Sequence, residues 1–266
     1  MIHRAVELGV NFFDTADLYE KGLNEERVGR ILHEKREQVV LATKVGNRWR
    51  EDGSGWDWNP RKDYIIGAVE ASLARLQTDR IDLYQLHGGM LEDPIDETIE
   101  AFELLQRQGK ILYYGISSIR PNVIREYIRR SNIVSVMMQY SLADRRPEEG
   151  CLGELQAAGI GVLARGVVMK GLLSGKAPAP YLGHTAEEMA SAAELIGRMG
   201  GEGGSPARIA TRWVLDHPAI SSAVVGVRTM EQLEDVVRAV DDQRLTEQER
   251  RSLEMALVGK RYEEHR

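Results

Sequence analysis

Four side chains suited to moving a proton stand at or just beyond early apolar runs of the chain. Asp14 follows residues 10–13, Lys44 follows 39–43, His87 follows 81–86, and Tyr19 lies five residues past Asp14. A phenol, with an ordinary pKa near about 10, is a poor acid at neutral pH, but a neighbouring ammonium stabilises the phenolate and brings the proton within reach. Lys44 is the right type to do this for Tyr19. A buried lysine keeps its charge only beside a carboxylate, which Asp14 supplies, and His87 could donate a hydrogen bond to a substrate oxygen. Taken singly, the same residues have plainer readings: Asp14-Thr15 as a turn or helix cap, Lys44 as a solvated strand end, Tyr19 as a packed rim residue. His87 stands apart because Gly88-Gly89 after it lets a ligand approach the backbone. Their joint occurrence after consecutive apolar runs is what favours chemistry.

The elements that must position them alternate from start to finish. Short β-branched or aromatic runs at 10–13, 39–43, 81–86, 111–116, 134–138, 161–164 and 222–225 read as strands. Between them, amphipathic stretches at 24–33, 63–76, 95–108, 121–130, 152–158, 186–199 and 206–216 read as helices, with stripes such as Ile66, Val69, Leu73 and Leu76. A tail helix at about 246–258 opens on a Thr246-Glu247-Gln248-Glu249 capping box. Repeated strand–helix units predict an α/β protein, a (β/α)8 TIM barrel, with a doubly wound open sheet as the competitor. Asp14, Lys44, His87, Ser117, Gln139, Arg165 and Gly226 each follow one apolar run, and a barrel brings such strand ends to one mouth. Seven strands are visible where a closed barrel needs eight, and the chain opens on a helical pattern at 3–8, so the expectation is a barrel lacking its first strand. A single domain over 1–266 is expected. Residues 47–60, with Trp49, Trp56 and Trp58 among Gly, Asp and Arg, read as a long loop. The stretch 166–185 reads as a second loop and the glycine-rich break at 200–204 as a mobile tether.

Composition narrows the class. With 266 residues, 42% hydrophobic and 29% charged, the chain is globular rather than disordered. A net charge of −6 with interspersed signs argues against nucleic acid. No apolar run is long enough for a membrane span and the N-terminus has no signal core, which points to the cytoplasm. The lone Cys151 excludes an intrachain disulfide. Of six histidines only His87 sits at a strand end, and no His-x-His pair exists, which weighs against a metal-dependent hydrolase and predicts no metal site. The expected partner is a small molecule, on a monomer or weak homo-oligomer.

The segments Asn11-Phe12-Phe13-Asp14-Thr15-Ala16-Asp17-Leu18-Tyr19, Leu41-Ala42-Thr43-Lys44-Val45-Gly46, Ile81-Asp82-Leu83-Tyr84-Gln85-Leu86-His87 and Tyr114-Gly115-Ile116-Ser117 resemble the signatures of the aldo-keto reductases, over 1 to about 257. Within that family the chain is similar to bacterial NADP-dependent oxidoreductases. The resemblance implies reduction of a small aldehyde or ketone to an alcohol, with Tyr19 as general acid, Lys44 and Asp14 tuning it, and His87 orienting the carbonyl.

The cofactor end is legible from residues as well. Val224-Val225-Gly226-Val227-Arg228-Thr229 reads as a strand, a glycine turn and a helix N-terminus with a cation, which together make an anion site. The alternative is that Arg228 faces water. By resemblance, Gly226, Arg228, Thr229 and Gln232 match the segment that grips an adenosine 2′-phosphate, with Asp235 on the same helix, so NADPH is expected over NADH. Ser117 and Gln139 match residues that bind the nicotinamide carboxamide, with Ser118 beside them. Arg165 stands where the family usually has an aromatic stacked on the nicotinamide, and Glu20 where it usually has Gly after the tyrosine. Ser118 replaces a frequent Asn, and Val236 another. Two other readings remain: a cofactor-binding redox-sensing module with little turnover, and an inactive fragment of an active enzyme.

Overall fold

The computed structural model describes residues 1–173, 176–199 and 205–266; the glycine-rich break at 200–204 and two residues of the 166–185 loop lie outside the described residues. The chain divides into two compact units, Ile2–Val136 and Met137–Arg266.

The first unit runs α1 (Ile2–Glu7), β1 (Phe12–Asp14), α2 (Leu23–Leu32), β2 (Val40–Val45), β3 (Asn47–Trp49), β4 (Trp56–Trp58), α3 (Lys62–Leu76), β5 (Ile81–Leu86), α4 (Ile95–Arg107), β6 (Ile111–Ser117) and α5 (Pro121–Arg130). β7 (Ser135–Gln139) contains the division. The second unit continues with α6 (Cys151–Ala157), β8 (Gly161–Arg165), α7 (Ala186–Met199), α8 (Pro206–Leu215), β9 (Ile220–Val224), α9 (Met230–Arg238) and α10 (Glu247–Ala256). Among the described residues seven strands share one sheet in the order β1-β2-β5-β6-β7-β8-β9. Strand order therefore follows chain order, without the reversal that a doubly wound sheet requires, and the pairs β1/β2, β2/β5, β5/β6 and β8/β9 are parallel. This is the topology of a (β/α)8 barrel.

β5 is buried at all six positions, as a strand covered on both faces must be, and its apolar residues Ile81, Leu83, Tyr84 and Leu86 fall on both faces, with Asp82 and Gln85 the two polar positions. Tyr84 on β5 and Tyr114 on β6 meet Phe102 of α4, at ring-centroid distances of 5.6 and 5.5 Å, so one aromatic layer seals α4 to the sheet. Gly29 of α2 lies so close to α3 that a Cβ there would stand 2.4 Å from the Leu76 backbone; only glycine permits that approach.

Residues 47–60 are not an irregular loop. β3 and β4 pair antiparallel, with Asn47 opposite Trp58 and Trp49 opposite Trp56. Trp58 packs on Gly46 and Gly88, where a Cβ would meet its ring at 2.6 and 3.2 Å, and its indole donates to Asp93 at 2.9 Å. Contacts of the Trp58 ring and cross-strand tryptophans outweigh the Gly, Asp and Arg that made the segment look structureless.

In the second unit the helix starts are chemically defined. Ser205 caps α8 ahead of Pro206, Thr229 caps α9, and Thr246 with Glu249 forms the capping box of α10. Arg208 grips Asp242 through two nitrogens, and Arg212 pairs with Asp216 at 3.0 Å.

Candidate active site

Lys44 occupies the fifth position of β2, opposite Gln85 of β5, and Asp14 ends the adjacent β1. Parallel pairing puts these side chains on one face of the sheet, since alternate residues share a face. The Lys44 ammonium pairs with Asp14 Oδ2 and donates to the Thr15 carbonyl at 2.8 Å, while Gln85 Nε2 donates to Asp14 Oδ1 at 3.2 Å. Lys44 is 1% exposed, so its charge survives only because the carboxylate and the carbonyl replace its hydration. Tyr19, by contrast, is 41% exposed. The Lys44 Nζ lies 5.3 Å from the centroid of the Tyr19 ring, and the His87 ring meets it edge-on at 5.8 Å. Asp14, Tyr19, Lys44 and His87 are thus one cluster, with a fixed buried cation beneath a phenol open to a substrate.

The turn that presents Tyr19 is left-handed over three residues, Glu20 (φ 51°), Lys21 (φ 57°) and Gly22 (φ 89°). Glu20 therefore holds a conformation natural to glycine, at roughly 1 kcal/mol or more of backbone strain. Contacts hold the turn there: Glu20 pairs with Arg27, Lys21 sits 5.1 Å over the Trp49 ring, and Trp49 Nε1 donates to the Leu18 carbonyl at 3.1 Å. The tryptophan hairpin braces the Tyr19 turn, a role that composition alone does not reveal. Gln85 too was invisible in sequence, because its partner Asp14 is 71 residues away.

His87 is anchored through its backbone, its amide donating to the Val45 carbonyl at 2.7 Å and its carbonyl accepting from Asn47 Nδ2 at 3.3 Å. Ser117 ends β6; Ser118, next to it, accepts from the Arg120 amide at 3.2 Å ahead of α5. Both are buried.

The second unit holds the remaining candidates in two groups. Gln139 and Arg165 end β7 and β8; Arg165 Nη1 donates to Gln139 Oε1 at 3.2 Å, and Gln139 Nε2 donates to the Tyr181 hydroxyl at 3.3 Å. Asp144 and Glu148 pair with Arg146 and Arg145. Beyond β9, Gly226, Arg228, Thr229, Gln232 and Asp235 gather at the start of α9. Thr229 Oγ1 accepts from the Gln232 amide at 3.2 Å, and the Gln232 side chain accepts from the Arg228 amide at 3.0 Å. Asp235 accepts from Ser205, the cap of α8. Between α8 and α9 lies a cleft of about 310 Å3 lined by Ser205, Gly226, Glu231, Gln232 and Asp235 among others. Space is open where a Gly226 Cβ would stand, and Arg228 is exposed at the helix start, with no acidic side chain paired to its guanidinium among the described residues. A cleft with carboxylates at the start of α9, and an exposed guanidinium on the same helix start though not in the cleft lining, fit a ligand that carries both hydrogen-bond donors and a phosphate.

The aldo/keto reductase family model matches residues 1–257. The chain belongs to the aldo/keto reductase family. It is 48% identical to the uncharacterized oxidoreductase YqkF of Bacillus subtilis, over all of this chain and 89% of that protein. Among solved structures it is similar to the holo form of aldo-keto reductase AKR11C1 from Bacillus halodurans, at 47% identity and a TM-score of 0.92, covering 99% of this chain and 88% of that one. The aldo/keto reductase of Klebsiella pneumoniae in complex with NADP and acetate matches at 25% identity and a TM-score of 0.79, over 98% of this chain and 85% of that one. The chain is therefore an oxidoreductase of the aldo/keto reductase kind. No helix of the described residues is long and apolar enough to cross a membrane.

Proposed function

We propose that this protein reduces a small aldehyde or ketone to the alcohol with NADPH, and that Tyr19 delivers the proton. The observation that carries this is the Lys44–Asp14 ion pair, buried beneath an exposed phenol with His87 at its edge. Bound NADPH would supply the hydride to the carbonyl carbon. Tyr19 then gives its hydroxyl proton to the carbonyl oxygen, and the Lys44 charge stabilises the negative charge growing on the phenol oxygen as the proton leaves. Asp14 keeps Lys44 charged and in place, with Gln85 fixing the carboxylate in turn. His87, at the rim of the phenol, orients the substrate oxygen by hydrogen bonding.

For the cofactor, Arg228 at the start of α9 would hold the adenosine 2′-phosphate, and Glu231 and Asp235 would accept from donors of the adenosine. Ser117, Ser118, Gln139 and Arg165 would serve the nicotinamide, the two amide-binding roles falling to Ser117 and Gln139. The NADP complex of the Klebsiella relative supports this choice of cofactor. The test is a panel of small aldehydes with NADPH and NADH, following cofactor oxidation and alcohol formation together. One alcohol per NADPH consumed, with NADPH well preferred, is expected; NADPH binding without alcohol formation on any aldehyde would overturn the reading.

A further inference from the structure

Asp17 and Glu25 lie against β2 at the residues that flank the Lys44 site, and neither takes part in the proton delivery described above. Glu25 is fully buried on α2; it accepts from Thr43, the neighbour of Lys44, at 2.6 Å, and from Arg75 of α3 at 2.7 Å. Asp17 is 9% exposed, and its amide donates to the Lys44 carbonyl at 3.3 Å. Its Oδ1 is buried with no hydrogen-bond partner, and the Tyr84 hydroxyl of β5, also buried, has none either.

The charges of this region count out unevenly. Lys44 is matched by Asp14 and Arg75 by Glu25, which leaves Asp17 as a third carboxyl with no cation of its own. A buried, unmatched carboxylate is costly, and the usual resolution is to keep the proton. Of the groups facing Asp17, Glu25 on α2 opposes its charge, while Arg75 on α3, the Leu18 amide and Lys44 on β2 favour it; Tyr64 of α3 and Tyr84 of β5 are pushed up by burial first and by the Asp17 charge second. Burial, followed by the Glu25 charge, pushes the Asp17 carboxyl up to about 7.

We propose that Asp17, buried beside the β2 segment that carries Lys44 with its Oδ1 unsatisfied, is a positioning residue of the Tyr19 site: it serves there as a neutral carboxyl, and a negative charge at its position slows proton delivery by Tyr19. The sign follows from electrostatics. A second carboxylate near Lys44 draws on the ammonium that must stabilise the growing phenolate, and opposes that phenolate directly. The role rests on the proposed reduction, and a separate readout tells the two apart.

The kinetic test is the pH profile of kcat for aldehyde reduction in wild type and Asp17→Asn, whose amide mimics the protonated acid. Wild type is expected to lose about threefold in rate between about pH 6 and pH 8, while the variant keeps its low-pH rate across that window. The same fall in both proteins would overturn the proposal. The second readout needs neither a variant nor turnover: in wild type labelled with carbon-13 at the aspartate carboxyls, one resonance should titrate near pH 7. If every aspartate titrates in the ordinary range, the positioning role falls even though reduction proceeds. A carboxyl that titrates near neutrality in a chain that reduces no carbonyl would overturn the reaction and the positioning role together.

Discussion

At the scale of single residues, labour is divided between a buried cation held by a carboxylate and an exposed phenol that must meet substrate. Lys44→Met removes the ammonium and leaves Asp14 as a buried carboxylate without its cation. Turnover should fall by about a hundredfold or more, and stability by roughly 3 kcal/mol, because breaking one side of a buried pair strands the other. Kinetics and urea melts on the same sample check both. Arg228 makes a different kind of statement. Its guanidinium is exposed at the start of α9, and a 2′-phosphate is the one feature by which NADPH differs from NADH. Arg228→Ala should therefore weaken NADPH by about tenfold or more with little change for NADH, measured by fluorescence titration. Equal losses would place Arg228 on a part that both cofactors share. Glu20 shows how a departure from a family pattern becomes intelligible only in three dimensions: the position after Tyr19 has a φ of 51°, which is why glycine suits it and why a glutamate there needs Arg27.

At the scale of elements, the tryptophan hairpin is the part that sequence reading handled least well. Its strands are three residues each, too short for an alternation to show, and its stability comes from Trp58 lying on Gly46 and Gly88, a contact that no local pattern encodes. The longer helices, by contrast, were legible nearly to the residue. Pro121–Arg130 and Ala186–Met199 carry strong three-to-four apolar spacing with proline or acidic residues at the start. Gly46→Ala should push Trp58 aside, since the added methyl would lie 2.6 Å from its ring and the φ of 126° resists a side chain. Because the hairpin braces the Tyr19 loop through Trp49, the expected result is a lower kcat together with a stability loss of about 1–3 kcal/mol, without loss of NADPH affinity. Gly29→Ala should cost stability by a similar amount, because it separates α2 from α3, which the Glu25–Arg75 pair joins.

At the scale of the whole molecule, strand order could be anticipated because each parallel strand is followed by its own amphipathic helix, two periodicities that a sequence displays directly. The surroundings of Asp17 could not, because they depend on α2 and α3 closing over β2 and on a count of charges that only the folded chain assembles. Burial of Asp17, with the Glu25 charge second, gives stability its own pH dependence. Asp17 titrates at about 7 when folded and at the ordinary 3.8 when unfolded, so the folded state holds the extra proton between those values. Stability from this group is fully present below about 3.8, falls across that window and is lost once pH has risen through about 7, by about 4 kcal/mol in all. Asp17→Asn should gain melting temperature over wild type as pH rises from about 5 to about 8, a comparison in which the other titrating groups cancel. The central claim, that Tyr19 is the acid of an NADPH-dependent carbonyl reduction, is tested most directly by single-turnover oxidation of NADPH by an aldehyde in wild type and Tyr19→Phe, with NADPH affinity measured alongside. The account predicts a rate lower by about a thousandfold with NADPH affinity unchanged within about twofold; a variant that turns over at the wild-type rate would contradict it.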